Sequence, residues 1–362
     1  MAPLLNVSVS HDTNQTLAEE AEAGQAAYIR MDLQMKHATP DSSLTLRPQI
    51  TVQRFTVDRM SESEDESVLA AGSWNTRHSV FSAQASVAHQ NTLNNVLVDE
   101  DLIGIDTRRR SKQAAFSWVH NQSRDRHQLT VGLNYSDVDY QGNDQYRFSG
   151  YRYPSLSITQ AVSWSPRTWW LFTVYGSHLD SDSRTESDNA GAQIGFQHEL
   201  TSRMTLSLSG GYSYQEVDRS FGRFTFTTRN TGYTGDLSLT RRDELGQWRL
   251  SAGRSVTAGG FGILVARSQA QFSFERRFAE RWTANVSLRH VGNEDVSNVK
   301  SGEVHSFQRF DGGLQWRLTR TWTLGASAFV NRLQRGEDSP LAEGWGAILS
   351  ATWVPKARTL SR

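Results

Sequence analysis

Arg203-Met204-Thr205-Leu206-Ser207-Leu208-Ser209-Gly210-Gly211-Tyr212-Ser213-Tyr214 is the stretch whose reading decides the fold. Met204, Leu206, Leu208, Gly210, Tyr212 and Tyr214 interleave with Thr205, Ser207, Ser209, Gly211 and Ser213. Successive strand side chains point to opposite faces, so this segment as a strand has one apolar face and one hydroxyl-rich face. The same dyad returns in Leu129, Val131, Leu133 and Tyr135 against Thr130, Gly132, Asn134 and Ser136. It returns again in Trp282, Ala284, Val286 and Leu288, and in Trp322, Leu324, Ala326, Ala328 and Val330. These units are longer than the five or six residues usual for soluble sheets and match the roughly nine to eleven tilted residues of a membrane-crossing strand plus overhang.

Working outward from that segment, about eighteen such strands are expected. They lie near 3–12, 23–37, 42–57, 65–75, 78–90, 107–122, 125–140, 149–165, 168–181, 187–201, 203–217, 228–243, 246–258, 262–278, 281–294, 303–318, 321–335 and 344–356. The linkers alternate between two kinds. Thr39-Pro40-Asp41, Asn75-Thr76-Arg77, Ser165-Pro166-Arg167, Thr201-Ser202 and Thr319-Arg320 are tight, whereas Asn91 to Thr107, Gln141 to Phe148, Ser181 to Asp188, Asp218 to Thr227 and Arg335 to Glu343 read as longer, acidic or glycine-containing loops. Short turns at one end and longer loops at the other are the pattern of an up-and-down transmembrane barrel with both termini in the periplasm. The expectation is therefore all-β: one antiparallel outer-membrane β-barrel over residues 1–362, with short periplasmic turns and longer extracellular loops.

Composition agrees. The 362 residues carry 38 basic and 38 acidic side chains for a net charge of zero, so no basic field argues for a nucleic-acid partner. No run approaches the roughly eighteen apolar residues of a membrane helix, and low mean hydropathy is normal for a barrel, in which only alternate residues meet lipid. Cysteine is absent, which excludes disulfides and thiolate metal sites. After Met1 the chain enters Leu4, Leu5, Val7 and Val9 in near-alternation at once. It is read as the mature form of an exported protein of the bacterial outer membrane, without its signal peptide and with an added Met.

Aromatic placement marks one membrane boundary. Trp170, Trp248, Trp282 and Trp322 follow tight turns, and Trp164, Phe278, Trp316 and Trp353 precede one or lie near the C-terminal end. Amphipathic rings suit the boundary between acyl tails and head groups, so these tryptophans are expected to form the periplasmic girdle.

Chemistry is sparse. The ten histidines have no metal-type spacing, no G-x-S-x-G occurs, and Ala258-Gly259-Gly260-Phe261-Gly262 precedes no helix and so is no phosphate cradle. His178 with Asp180 and Asp182 is the one arrangement resembling a catalytic pair, and Asp99-Glu100-Asp101 reads as a solvated charge run. No catalytic residue, metal or cofactor is assigned, and the chain is not expected to be an enzyme.

The inward face is more informative. Residues out of phase with the lipid face are Arg47, Gln49, Thr51 and Gln53; then Arg267, Gln269, Gln271, Ser273, Glu275 and Arg277; then Asn285 and Arg289; then Arg309, Asp311, Gln315 and Arg317. These types hydrogen-bond to water and hydroxyl groups and carry both signs of charge, the lining expected of a hydrated lumen. Phe55, Trp169 and Phe329 are candidate inward aromatics on which sugar faces could pack. Asn91 to Thr107, with Val96, Leu97, Val98, Leu102 and Ile103, reads either as a constriction folded into the mouth or as an extension of its strand pair.

Two further features carry a family likeness: Ser10-His11-Asp12-Thr13-Asn14 after the opening strand, and the repeated hairpins Leu200-Thr201-Ser202-Arg203-Met204-Thr205-Leu206 and Leu318-Thr319-Arg320-Thr321-Trp322-Thr323-Leu324, with Phe278-Ala279-Glu280-Arg281-Trp282-Thr283 a looser copy. In these the chain resembles the porin-like outer-membrane β-barrel proteins associated with exopolysaccharide secretion systems, including those of exosortase-type loci. The resemblance implies a conduit by which a secreted polysaccharide crosses the outer membrane. Its partners would be outer-membrane lipid and lipopolysaccharide, the polysaccharide or another polar solute, and a periplasmic secretion component. A general or sugar-uptake porin, a closed adhesin or scaffold barrel, and a barrel hydrolase are the alternatives. Unlike a chain ending on a terminal aromatic, this one continues past Trp353 to Arg362.

Overall fold

The computed structural model describes residues 2–14, 17, 21–56, 62–92, 107–122, 126–141, 148–221, 223–259, 262–296, 306–336 and 339–355. Its first nine strands are β1 (Ala2–Asp12), β2 (Gly24–Ala38), β3 (Ser42–Phe55), β4 (Ser63–Asn75), β5 (Ser79–Asn91), β6 (Arg108–Gln122), β7 (His127–Gln141), β8 (Tyr151–Ser165) and β9 (Thr168–Ser181). The remainder are β10 (Thr185–Thr201), β11 (Met204–Phe221), β12 (Phe224–Arg242), β13 (Gly246–Ala258), β14 (Leu264–Ala279), β15 (Trp282–Asp295), β16 (Ser306–Arg317), β17 (Trp322–Gln334) and β18 (Leu341–Trp353). Each strand pairs antiparallel with its sequence neighbours, and β1 pairs with β18, from Leu5 opposite Trp353 to Asp12 opposite Gly346. The sheet is a closed eighteen-stranded up-and-down barrel, with no helix among the described residues. Closure leaves every ladder paired inside the membrane, the condition for a sheet to exist in hydrocarbon.

The register assigns the two faces. Leu206, Leu208, Tyr212 and Tyr214 of β11 stand opposite Leu239, Leu237, Tyr233 and Thr231 of β12, all on the outer side. Along β17 the outward residues are Trp322, Leu324, Ala326, Ala328 and Val330, and the next is Arg332, paired with Glu343 at 2.9 Å. The same limit recurs around the barrel at the outward pairs Lys112–Asp137 (3.1 Å), His178–Asp188 (2.8 Å), Arg229–Glu216 (2.9 Å) and Arg254–Glu294 (2.6 Å). About nine residues per strand, alternate ones facing lipid, are therefore spanned before the charges begin, as a tilted crossing requires. Above that limit the Arg229 guanidinium, and then the Tyr214 hydroxyl, hold the Glu216 carboxyl below its usual range.

The lower limit is aromatic. Trp282 stacks on Trp316 (centroids 5.7 Å apart), Phe278 on Trp282 (6.3 Å), and Trp322 lies 6.5 Å from Trp353, each across adjacent strands or a turn on the outward face. Trp164, Trp170 and Trp248 share that face. Trp74, Phe81 and Trp118 add a run across β4 to β6, with Trp74 to Phe81 at 5.6 Å and Phe81 to Trp118 at 6.5 Å. Such pairs contribute about 0.5–1.5 kcal/mol each beyond area burial. A barrel with aromatic residues at its short-turn rim and ion pairs at the other is a protein of the bacterial outer membrane.

The short turns share one device. Thr39, Thr76, Asp243 and Thr319 each accept, through a side-chain oxygen, the amide of the residue three positions on, at 3.0 Å in every case. In each the backbone N–H of the first residue donates back to the carbonyl of the fourth. A side chain that closes the turn locally fixes the register of the hairpin it starts.

Two expected loops are not loops. Ser181 to Asp188 contracts to the turn 182–184 because β10 begins at Thr185, and Asp218 to Thr227 is ladder because β11 and β12 stay paired up to Phe221 opposite Phe224, beyond the lipid. The last strand ends at Trp353, not near 356. Residues 93–106, including Asp99-Glu100-Asp101 and most of the stretch read as a constriction, lie outside the described residues.

Candidate functional site

The inner face of the barrel is largely polar, with apolar clusters confined to its external end. Arg47, Gln49 and Gln53 lie on the inner side of β3; Arg267, Gln269, Gln271 and Glu275 on that of β14; Asn285 and Arg289 on β15; Arg309, Asp311 and Arg317 on β16. Phe55, Trp169 and Phe329 share that face. His178 does not: it is on the lipid side of β9, its Nδ1 at 2.8 Å from Asp188, and Asp180 faces Arg152 at 4.0 Å.

Side chains on the wall are held by their neighbours. Arg47 Nε donates to Asp32 at 2.7 Å, and Arg30 donates to Gln49 at 2.7 Å while lying 3.6 Å from the same, almost fully covered, Asp32. Asp65 accepts the Gln53 amide (3.2 Å) and the backbone N–H of Asn91 (2.7 Å), pinning the upper end of β5 to β3 and β4. Asp311 accepts the Ser287 hydroxyl at 2.9 Å and lies 3.4 Å from Arg309 Nε. The Arg309 guanidinium also lies 4.6 Å over the Phe329 ring. On its other side that ring is packed against Gly346, where a side chain would collide with it and with the His11 carbonyl. Arg309 is thus positioned through an aromatic that only a glycine on β18 admits.

At the external end two segments fold inward. The β12–β13 ladder stops at Gly235 opposite Arg254, while β13 and β14 stay paired up to Ala258 opposite Leu264. Freed from β12, the apolar tip of this hairpin crosses the mouth. Ala258 and Leu264 are buried in one cluster with Val138, Tyr151 and Leu179 from the inner faces of β7, β8 and β9, joined by Val296. Gly262 adopts φ +69°, and the place of its missing Cβ is filled by Ser181 and Ser149. On the other side Leu17 packs on Phe307, Leu333 and Ala342 of β16 to β18. It is brought there by the Asp12-Thr13-Asn14 motif: the Asp12 carboxylate accepts the Asn14 N–H at 2.9 Å, and Asn14 Nδ2 donates to the Glu343 carbonyl at 3.0 Å across the β1–β18 seam. The sequence did not reveal this contact over the β1–β18 seam, since a lone apolar residue has no pattern naming its partner.

At the periplasmic end the inner faces of β13 to β17 enclose a cleft of about 510 Å³ lined by Arg277, Arg317, Glu275, Gln247 and Gln315 among others. Arg317 donates to the Glu280 carbonyl there at 2.7 Å. Among the described residues no group of histidine and carboxylate side chains is placed to hold a metal ion.

Comparisons with known proteins stop at the barrel. No family model and no curated protein matches the chain. Among solved structures, OccK2 (OpdF) of Pseudomonas aeruginosa aligns with a TM-score of 0.48 at 10% identity over 98% of this chain and 97% of that one, and has also been solved in complex with glucuronate. The outer membrane protein OpdK of the same organism gives 0.45 at 12% identity over 98% of each chain. The alcaligin outer-membrane receptor FauA of Bordetella pertussis gives 0.45 at 10% identity, covering 96% of this chain and 76% of its own. At such identities no residue role is carried across.

Proposed function

We propose that this protein is an outer-membrane channel for a polar solute, and that the solute is a secreted polysaccharide leaving the cell. The observation that carries the reading is the inner face, hydrogen-bonding and charged from Arg317 and Gln315 at the periplasmic rim to Arg267 and Gln53 toward the outside. An eighteen-stranded barrel has a bore of porin width before side chains and loops narrow it. Arg47, Gln49, Arg289, Arg309 and Arg317 line that bore, and the tryptophan girdle with the ion-paired outer rim seats the barrel in lipid and lipopolysaccharide. Export rests on the resemblance of the hairpin motifs to those of barrels of exopolysaccharide secretion systems, and a periplasmic component would deliver the chain to the rim where both ends of the barrel lie. Ala258 and Leu264 at the inturned ends of β13 and β14, with Leu17, narrow the external mouth and would have to be passed or displaced.

Single-channel conductance in planar bilayers, with and without soluble oligosaccharides, tests this. Discrete steps interrupted by sugar are the expected result. Silence would remove the channel reading and leave a closed barrel whose external strands act as an adhesin or scaffold, while open steps indifferent to sugar would favour a general porin.

A further inference from the structure

We propose that the inner face of β13 to β16 is a binding track for anionic saccharide, so that the cargo is an acidic rather than a neutral glycan. The inference deepens the channel reading and rests on it for the word cargo, but the site itself is tested separately.

The strand register places basic residues on one arc. Arg289 of β15 and Arg309 of β16 are directly opposite partners, both on the inner face. Arg267 of β14 stands at the level of Asn293, four residues or about 13 Å further out, and Arg277 at the level of Thr283, about 20 Å further in. Arg317 continues the row to the periplasmic cleft. Two like charges directly across a ladder repel, and here Asp311, 3.4 Å from Arg309 Nε, stands beside the pair, so the two guanidiniums form the centre of a charged cluster on the inner face. Among the described inner side chains of these strands the carboxylates, Asp311 and Glu275, are fewer than the guanidiniums, and Asp311 is shared with the Ser287 hydroxyl.

The facing arc is different in kind. In a closed sheet of eighteen strands, β5, β6 and β7 are diametrically opposite β14, β15 and β16. Inner positions of β5 and β7, such as Gln84, Ser86, Thr130 and Asn134, carry no charge, and β6 adds a single inner guanidinium, Arg109, near its outer end. The protein's net charge is zero, so this polarity is a property of the arrangement and not of composition. Guanidiniums recognise carboxylate, phosphate and sulfate in the plane of their fork. The amides and hydroxyls between them, Gln271, Gln269 and Ser287, match sugar hydroxyls. A row that reaches from the periplasmic cleft toward the outer mouth at these intervals suits a chain bearing repeated anionic groups.

The test measures binding to the detergent-solubilised full-length barrel by calorimetry, with trigalacturonate, maltotriose and inorganic phosphate as probes, in parallel with reversal potentials in a KCl gradient. The expected result is trigalacturonate about tenfold or more tighter than either other probe, an anion-selective pore, and loss of most of that preference in Arg289→Gln/Arg309→Gln. Maltotriose binding as well as trigalacturonate would overturn the anionic half of the proposal, and phosphate binding as well would overturn the saccharide half. A barrel silent in bilayers that still prefers trigalacturonate would remove the channel reading and keep the site. The comparison of probes on the unmodified protein stands even if the double variant fails to fold.

Discussion

Two arcs of the same lumen use their side chains differently. On β8 and β9 the inner groups bond to one another: Thr159 to Thr173 at 2.9 Å, Tyr153 to Ser177 at 3.0 Å, and Tyr175 to Thr234 at 3.3 Å. Each such bond contributes roughly 1 kcal/mol and leaves little over for a ligand. On β15 and β16 arginine is set against arginine, and Arg309 depends on an aromatic and a shared carboxylate for its position. One wall is arranged for its own cohesion, whereas the other sets guanidiniums side by side, the pattern that the proposed binding track requires.

Reversing the charge of the second wall should have the largest effect. Arg309→Glu with Arg317→Glu is expected to turn an anion-selective pore into a cation-selective one, read as a change of sign in the reversal potential; an unchanged sign would mean these residues do not face the conduction path. Next comes Gly346→Ala, which removes the seat of the Phe329 ring and so displaces Arg309. It should cost about 1–3 kcal/mol in urea unfolding and lower anion preference together. Gly210→Ala, where nothing lies within 4 Å, should do neither. Trimming Leu264→Ala at the hairpin tip that rests on the neutral wall should loosen that contact by about 2–3 kcal/mol and raise mean conductance without altering selectivity. The smallest effect belongs to the neutral wall itself. Thr159→Val with Thr173→Val replaces a mutually bonded pair by two apolar groups and should change stability by less than about 1 kcal/mol, with ion selectivity unmoved.

The strands were legible wherever lipid enforces alternation. The spans 168–181 and 246–258 are the strands Thr168–Ser181 and Gly246–Ala258 to the residue. Above the membrane the signal fails, because Glu186, Asp188, Glu216 and Asp218 replace apolar residues on the outward face and a paired strand then reads as a polar loop. That is why the outer ends of β10, β11 and β12 were expected to lie further in than they do. The inner face could be listed from phase alone, since phase survives without knowing neighbours. Its division into a basic and a neutral arc could not, because Arg289 and Arg309 become partners only through the register. Leu17, Ala258 and Leu264 were illegible for the same reason: their partners, over the β1–β18 seam for the first and on β7 to β9 for the others, lie far away in sequence.

The up-and-down order bears on how the barrel assembles. Every ladder except one joins strands adjacent in the chain, and the short turns carry their own closing hydrogen bonds, so nearly all the sheet can form by successive local additions with little loop-closure entropy. The β1–β18 seam alone must bring the two ends of a chain of this length together, which makes it the step that completes the ring and the line along which the ring would first part. The Asn14 bond to the Glu343 carbonyl and the Leu17 contact with Phe307, Leu333 and Ala342 span that line from inside. The Asp12-Thr13-Asn14 motif therefore works as a clasp, engaging after the last strand arrives and slowing its departure.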